Sequence, residues 1–163
     1  MKKTFYTLAA IIALISTGAC TSNTKSSTET RGDIKETYTG ILPAADVDGI
    51  RYTLKLDYDE DRDYAYGDYD LVETYLTSDS LSASGYTDKD TFKSEGDFSV
   101  EQGKGNMSGK KYLKLTPDAK DAAGAGSGPL YFLIESDSTI IMVNESLQPS
   151  ETPGLNYTLQ LVK

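Results

Sequence analysis

Residues 50–58, Ile-Arg-Tyr-Thr-Leu-Lys-Leu-Asp-Tyr, place an apolar or aromatic side chain at every even position and a polar one between. A repeat of two is the period of a strand with one face buried and the other in water; a helix would repeat every 3.6 residues. Weaker versions recur at 34–42, 69–77, 91–100, 111–116, 130–136, 139–144 and 155–162, so eight strands are expected. Connections rich in Gly, Asp and Ser separate them, and residues 117–128 are too glycine-rich for a helix. An open antiparallel sheet exposes two raw edges, and closing it removes them. The expected fold is therefore all-β: an eight-stranded antiparallel, mostly up-and-down barrel whose interior holds side chains or one small ligand.

Composition narrows the chemistry. The 163 residues carry 25 Asp or Glu against 16 Lys or Arg, a formal charge of −9, with one Cys, three Met and no His. Without an imidazole the chain cannot build a Ser/His/Asp or Cys/His triad, nor a His-based metal site. An acidic surface repels phosphate backbones and gains nothing from counterion release, so no nucleic-acid partner is expected.

Lys2 and Lys3 precede an apolar run from Phe5 to Ile15, followed by Ser16, Thr17, Gly18, Ala19 and Cys20. This is the order of a secretory signal, and the run is shorter than the ~20 residues of a membrane span. The lone cysteine behind two small residues resembles a bacterial lipobox, with Thr17 standing where Leu is usual. The alternative is an ordinary signal peptide that leaves a free thiol. The expected organisation is a lipoprotein signal peptide over 1–19, a lipidated Cys20 and flexible tether over 20–32, and a barrel domain over 33–163. The tether sequence, TSNTKSSTETRG, has no large apolar side chain with which to offset the entropy of ordering. Attachment to the membrane is expected through acyl chains on Cys20.

The stretch Tyr38-Thr-Gly-Ile-Leu-Pro-Ala-Ala-Asp-Val-Asp-Gly-Ile50 resembles the opening of the N-terminal domain of the NlpE family of envelope lipoproteins, which reads Gly-x-Leu-Pro-Cys-Ala-Asp-Cys-x-Gly-Ile. Gly40, Leu42, Pro43, Ala45, Asp46, Gly49 and Ile50 fall on that pattern. The segments 68–75 and 95–98 and the ending Leu155-Asn-Tyr-Thr-Leu159 extend the resemblance over most of residues 37–161. It implies a lipocalin-like barrel in a Gram-negative envelope, in a family associated with copper resistance, adhesion and envelope-stress signalling. Relatives also carry a second, C-terminal domain; none is expected here, since Lys163 follows the last strand. The family's two cysteines fall on Ala44 and Val47, which have no lone pair for a metal and no thiol for redox exchange. Residues 43–49 therefore read as a structural turn.

Other constellations have bland readings. Residues 57–70, DYDEDRDYAYGDYD, alternate Asp57, Asp59 and Asp61 as a calcium loop does, but Arg62 occupies the glycine position and Asp68 the place of the final Glu. The expectation is a long solvated hairpin loop, with Gly67 marking a bulge or turn. Met107 and Met142, on separate expected strands, read as core filler. Tyr52, Tyr69 and Tyr75 alternate on strands and suit both a ligand cavity and a barrel plugged by its own side chains. Carboxylate pairs such as Asp90 with Glu95, or Glu135 with Asp137, have nothing to place them in a cleft.

The resulting expectation is a non-enzymatic, cofactor-free lipoprotein of the outer membrane, periplasm-facing or surface-exposed. Its barrel serves as a binding or stress-sensing module that engages an envelope sensor or another envelope protein; the alternative is a carrier of a small hydrophobic or amphipathic ligand. Replacing Cys20 by Ser is predicted to abolish metabolic labelling with palmitate; persistent labelling refutes the anchor.

Overall fold

The computed structural model describes residues 34–59, 65–120, 128–150 and 152–163; the leader, Cys20, the tether, and residues 60–64 and 121–127 lie outside them. Eight strands are present: β1 (Lys35–Leu42), β2 (Gly49–Tyr58), β3 (Tyr66–Ser78), β4 (Tyr86–Gln102), β5 (Lys111–Pro117), β6 (Leu130–Ser136), β7 (Thr139–Val143) and β8 (Thr158–Leu161). Each pairs antiparallel with the next, and β8 pairs with β1, so the sheet closes into an up-and-down barrel.

The alternation of the sequence becomes an inside and an outside. Leu54 lies opposite Leu71, Phe98 opposite Leu115, Leu113 opposite Phe132, and Ile140 opposite Leu159. These side chains belong to one core cluster, in which Leu54, Leu115, Phe132 and Leu159 expose no surface. Residues of the other parity face out, and most are polar.

The exception is the outer face of β5, β6 and β7. There Tyr112, Leu133 and Val143 form a second buried cluster, covered by Met107 and Leu147 from two connections. Met107 sits on a 3-10 turn, Gly105–Met107, rather than on a strand. Leu147 has a left-handed φ of 61°, unusual for a residue with a large side chain. Asn144 holds that loop, its carbonyl oxygen accepting from the Leu147 N–H and its side-chain oxygen from the N–H groups of Ser146 and Gln148.

Two strands run further than the alternation implies. β3 begins at Tyr66, ahead of the start expected near Asp68, so that Asp57 pairs with Asp68 and Tyr58 with Gly67, while residues 60–64 of the expected loop lie outside the described residues. Gly67 marks no turn. A methyl group there would run into the Asp57 carbonyl oxygen and the Phe98 ring, so glycine is what lets Phe98 fill the barrel beside the strand. β4 begins at Tyr86, and its first residues are exposed on both faces, which leaves no periodic signal. A register shift between Thr74 and Leu76 marks the passage from the barrel wall to this β3–β4 hairpin.

Leu54→Ala is predicted to destabilise the barrel by about 2–5 kcal/mol, because the cavity it leaves is walled by fixed strands. Gly67→Val should do comparable damage by forcing β2 from β3. Urea unfolding checks both; a midpoint within error of the parent for either variant contradicts the packing described.

Candidate functional site

Glu36, Tyr38, Gly40 and Leu42 share one parity on β1, and the latter part of that face is core. Glu36 is therefore the first inward position of β1, an acid where the pattern asks for an apolar residue. Across the sheet it pairs with Leu56, and two residues further on Tyr58 is the last inward position of β2. The hydroxyls of Tyr38 and Tyr58 both donate to the same carboxylate oxygen, Glu36 Oε2, at 3.0 and 2.9 Å. Oε1 has no hydrogen-bond partner among the described residues. Glu36 also joins no ion pair among them; the neighbouring Lys35 points to the opposite face, its ammonium 2.6 Å from Asp57.

These groups stand over a cavity of about 260 Å³ at this end of the barrel. Its floor is apolar, made by the buried Leu56, Leu113 and Ile140. Its rim is polar: Glu36 on one side, Ser136 and Asp137 from the β6–β7 turn on the other. Among the described residues no lysine or arginine lines it. Burial first, and then the Glu36 carboxylate, pushes the hydroxyls of Tyr38 and Tyr58 well above the ordinary tyrosine value of 10.0. They remain protonated donors. Tyr52 is raised in the same way, by burial and then by the Glu73 carboxylate.

The sequence-selected tyrosines lie elsewhere. Tyr52 and Tyr69 are packed into the core, and Tyr75 meets Phe92 edge to face with ring centroids 5.2 Å apart. None of them lines this cavity; Tyr38 and Tyr58 do. A signal for Glu36 existed in its parity with Tyr38 and Leu42, and for Tyr58 in the alternation of residues 50–58.

The loop carrying Ala44 and Val47 is at the other end of the barrel, between β1 and β2. Asp48 pins it: its N–H donates to the Leu76 carbonyl at 3.1 Å and its carboxylate accepts from the Ser78 N–H at 2.7 Å. Ala44 and Val47 are half-buried and bring no donor atom to it. On the outer wall Asp57, Asp68 and Asp97 stand side by side across β2, β3 and β4, bordering an open depression of about 510 Å³. Among the described residues no group of three or more His, Cys, Asp or Glu is arranged to hold a metal. Asp61 and Arg62 of that acidic segment, like Cys20, lie outside the described residues. Of the carboxylate pairs, Asp90 and Glu135 are exposed, Glu95 is held by Lys120 at 2.8 Å, and only Asp137 reaches the cavity.

The described residues thus define a small closed antiparallel barrel with a self-filled waist and one open, acid-rimmed end, an architecture also used by lipocalins. The family model of the NlpE N-terminal domain matches residues 38–153, and the chain belongs to that family, which is associated with the envelope of Gram-negative bacteria. No curated protein and no solved structure matches it significantly.

A hydroxyl whose pKa is raised by folding favours the folded state fully below pH 10, and that contribution is lost as pH climbs past the ordinary tyrosine value. Alkaline titration is therefore predicted to show a late class of tyrosines, Tyr38, Tyr52 and Tyr58, whose phenolate absorbance develops only as the near-ultraviolet circular dichroism collapses. Tyr38→Phe should shrink that class. Smooth ionisation of every tyrosine near pH 10 in the folded protein contradicts the burial described.

Proposed function

We propose that this chain is a non-enzymatic lipoprotein, held at the outer membrane by acyl chains on Cys20, whose barrel works as a binding or stress-sensing module of the envelope. The observation that carries this reading is the family match over residues 38–153. The self-filled waist of the barrel supports it, since a module that reports by position and shape needs a rigid body rather than a reaction centre. In relatives the turn between the first two strands carries the cysteines associated with copper. Here Ala44 and Val47 take those places, so the proposed role runs through contact with an envelope sensor and not through thiolate ligation.

The acid-rimmed cavity favours a second reading, a carrier of a small amphipathic ligand. The two readings share a fold and differ in what engages it.

The sensing role is tested with an envelope-stress reporter in cells expressing the chain with normal or inner-membrane-retaining residues after Cys20. Retention is predicted to raise the reporter several-fold, and Cys20→Ser to return it to baseline. A reporter indifferent to both changes removes the sensing reading.

A further inference from the structure

Burying part of a carboxylate is costly unless its charge is met, and the usual remedy is a nearby Lys or Arg. Among the described residues at the open end of this barrel that remedy is missing. Glu36, half-buried, and Asp137, exposed at the rim, face one cavity, no basic side chain among the described residues lines it, and the cation next in sequence to Glu36 is engaged by Asp57 on the outer wall. The two tyrosine hydroxyls satisfy Glu36 Oε2 together, which orients the carboxylate and leaves Oε1 open. Below this polar rim the wall is purely aliphatic, from Leu56, Leu113 and Ile140.

We propose that the cavity bounded by Glu36, Asp137, Tyr38 and Tyr58 is a binding site for a small organic cation, an ammonium group carrying one apolar arm. The ammonium donates to Glu36 Oε1 and sits in the field of Asp137, while the arm covers Leu56, Leu113 and Ile140. Charge-assisted bonds of this kind are stronger than neutral ones, and the low-dielectric floor reduces solvent screening. Size sets the class. A volume of about 260 Å³ is the share of roughly nine liquid waters, which suits an aryl- or alkylammonium of about nine non-hydrogen atoms. Tyr38 and Tyr58 add aromatic surface beside the positive group. This deepens the carrier reading above and rests on it.

The test is calorimetric titration of the Cys20→Ser chain with three probes of similar shape: phenethylammonium, 2-phenylethanol and phenylacetate. The expected result is one site for phenethylammonium, with the alcohol about tenfold weaker and the anion weaker still. Glu36→Gln keeps the size and the tyrosine bonds, and is expected to reduce binding of the cation about tenfold while leaving that of the alcohol unchanged. Ser136→Trp fills the mouth from its exposed rim and is expected to abolish binding of the cation. Asp68→Asn, on the outer wall, is expected to leave it intact and so separates the cavity from general attraction to an acidic surface. The proposal is overturned if no probe binds, if cation and alcohol bind alike, or if binding survives Ser136→Trp. A failure here leaves the stress-reporter outcome untouched, because that readout depends on Cys20 and membrane placement rather than on Glu36.

Discussion

The barrel depends on its shortest seam. β8 has four residues and meets β1 through the register pairs Tyr38 with Leu161 and Thr39 with Gln160. A backbone bond from Val162 N–H to the Thr37 carbonyl, at 2.7 Å, lengthens the join, while one from Leu161 N–H to the Ser138 carbonyl, at 2.9 Å, holds the other side of β8 to the start of β7. Gly40 makes it possible: a methyl group there would collide with the Thr158 carbonyl oxygen and the Leu159 side chain. With β8 in place the barrel wall has no open seam, only the first part of β4 being paired on one side alone, and Leu159 completes the interior. Closure also builds the cavity. Glu36 near the start of the domain and Asp137 near its end face one space only because β7 and β8 fold back beside β1.

The interior divides according to what its side chains can fill. At the waist, leucines from successive strands meet Phe98 and Phe132, and the glycine at 67 gives the Phe98 ring its room. A small barrel filled in this way behaves as a solid core. Toward the end where β1 begins, the inward residues become Glu36, Tyr38 and Tyr58, whose polar tips meet one another instead of interlocking as aliphatic side chains do. The Glu36 carboxylate accepts both tyrosine hydroxyls and the burial of those hydroxyls holds them neutral, so the three side chains form a fixed polar lip over an aliphatic floor. A rigid barrel and a preorganised mouth are thus products of the same alternation, read at its middle and at its end.

That alternation was legible where one face is buried and the other wet. All eight strands announce themselves in this way, and β2 does so without interruption. Legibility fails where both faces share one environment. The first residues of β4 are exposed on both sides, so its start at Tyr86 had no periodic trace, and β3 begins at Tyr66, slightly ahead of the strand read from near Asp68. Tyrosines posed a different problem. Parity says that Tyr52 and Tyr69 point inward, but not whether an inward ring borders a space or closes it, because that depends on the packing of strands distant in sequence. Glu36 was readable by parity and passed over because an acid at an inward position contradicts the rule being applied. Such contradictions are where functional residues are expected.

The two ends of the barrel also explain how the fold keeps its shape with Ala44 and Val47 in the turn between β1 and β2. The turn at 43–48 is held by Asp48, through its bonds to Leu76 and Ser78, and by the pairing of Leu42 with Ile50, none of which needs sulfur. Ala44 and Val47 are therefore free of any structural duty that a thiol would have to perform. The opposite end, with Glu36 and Asp137, shares no residue with that turn and is separated from it by the packed waist. A change of ligand chemistry at one end can thus proceed without disturbing the other. In this chain Ala44 and Val47 leave the turn to packing, and the polar groups that face the cavity at the opposite end are carboxylates and hydroxyls.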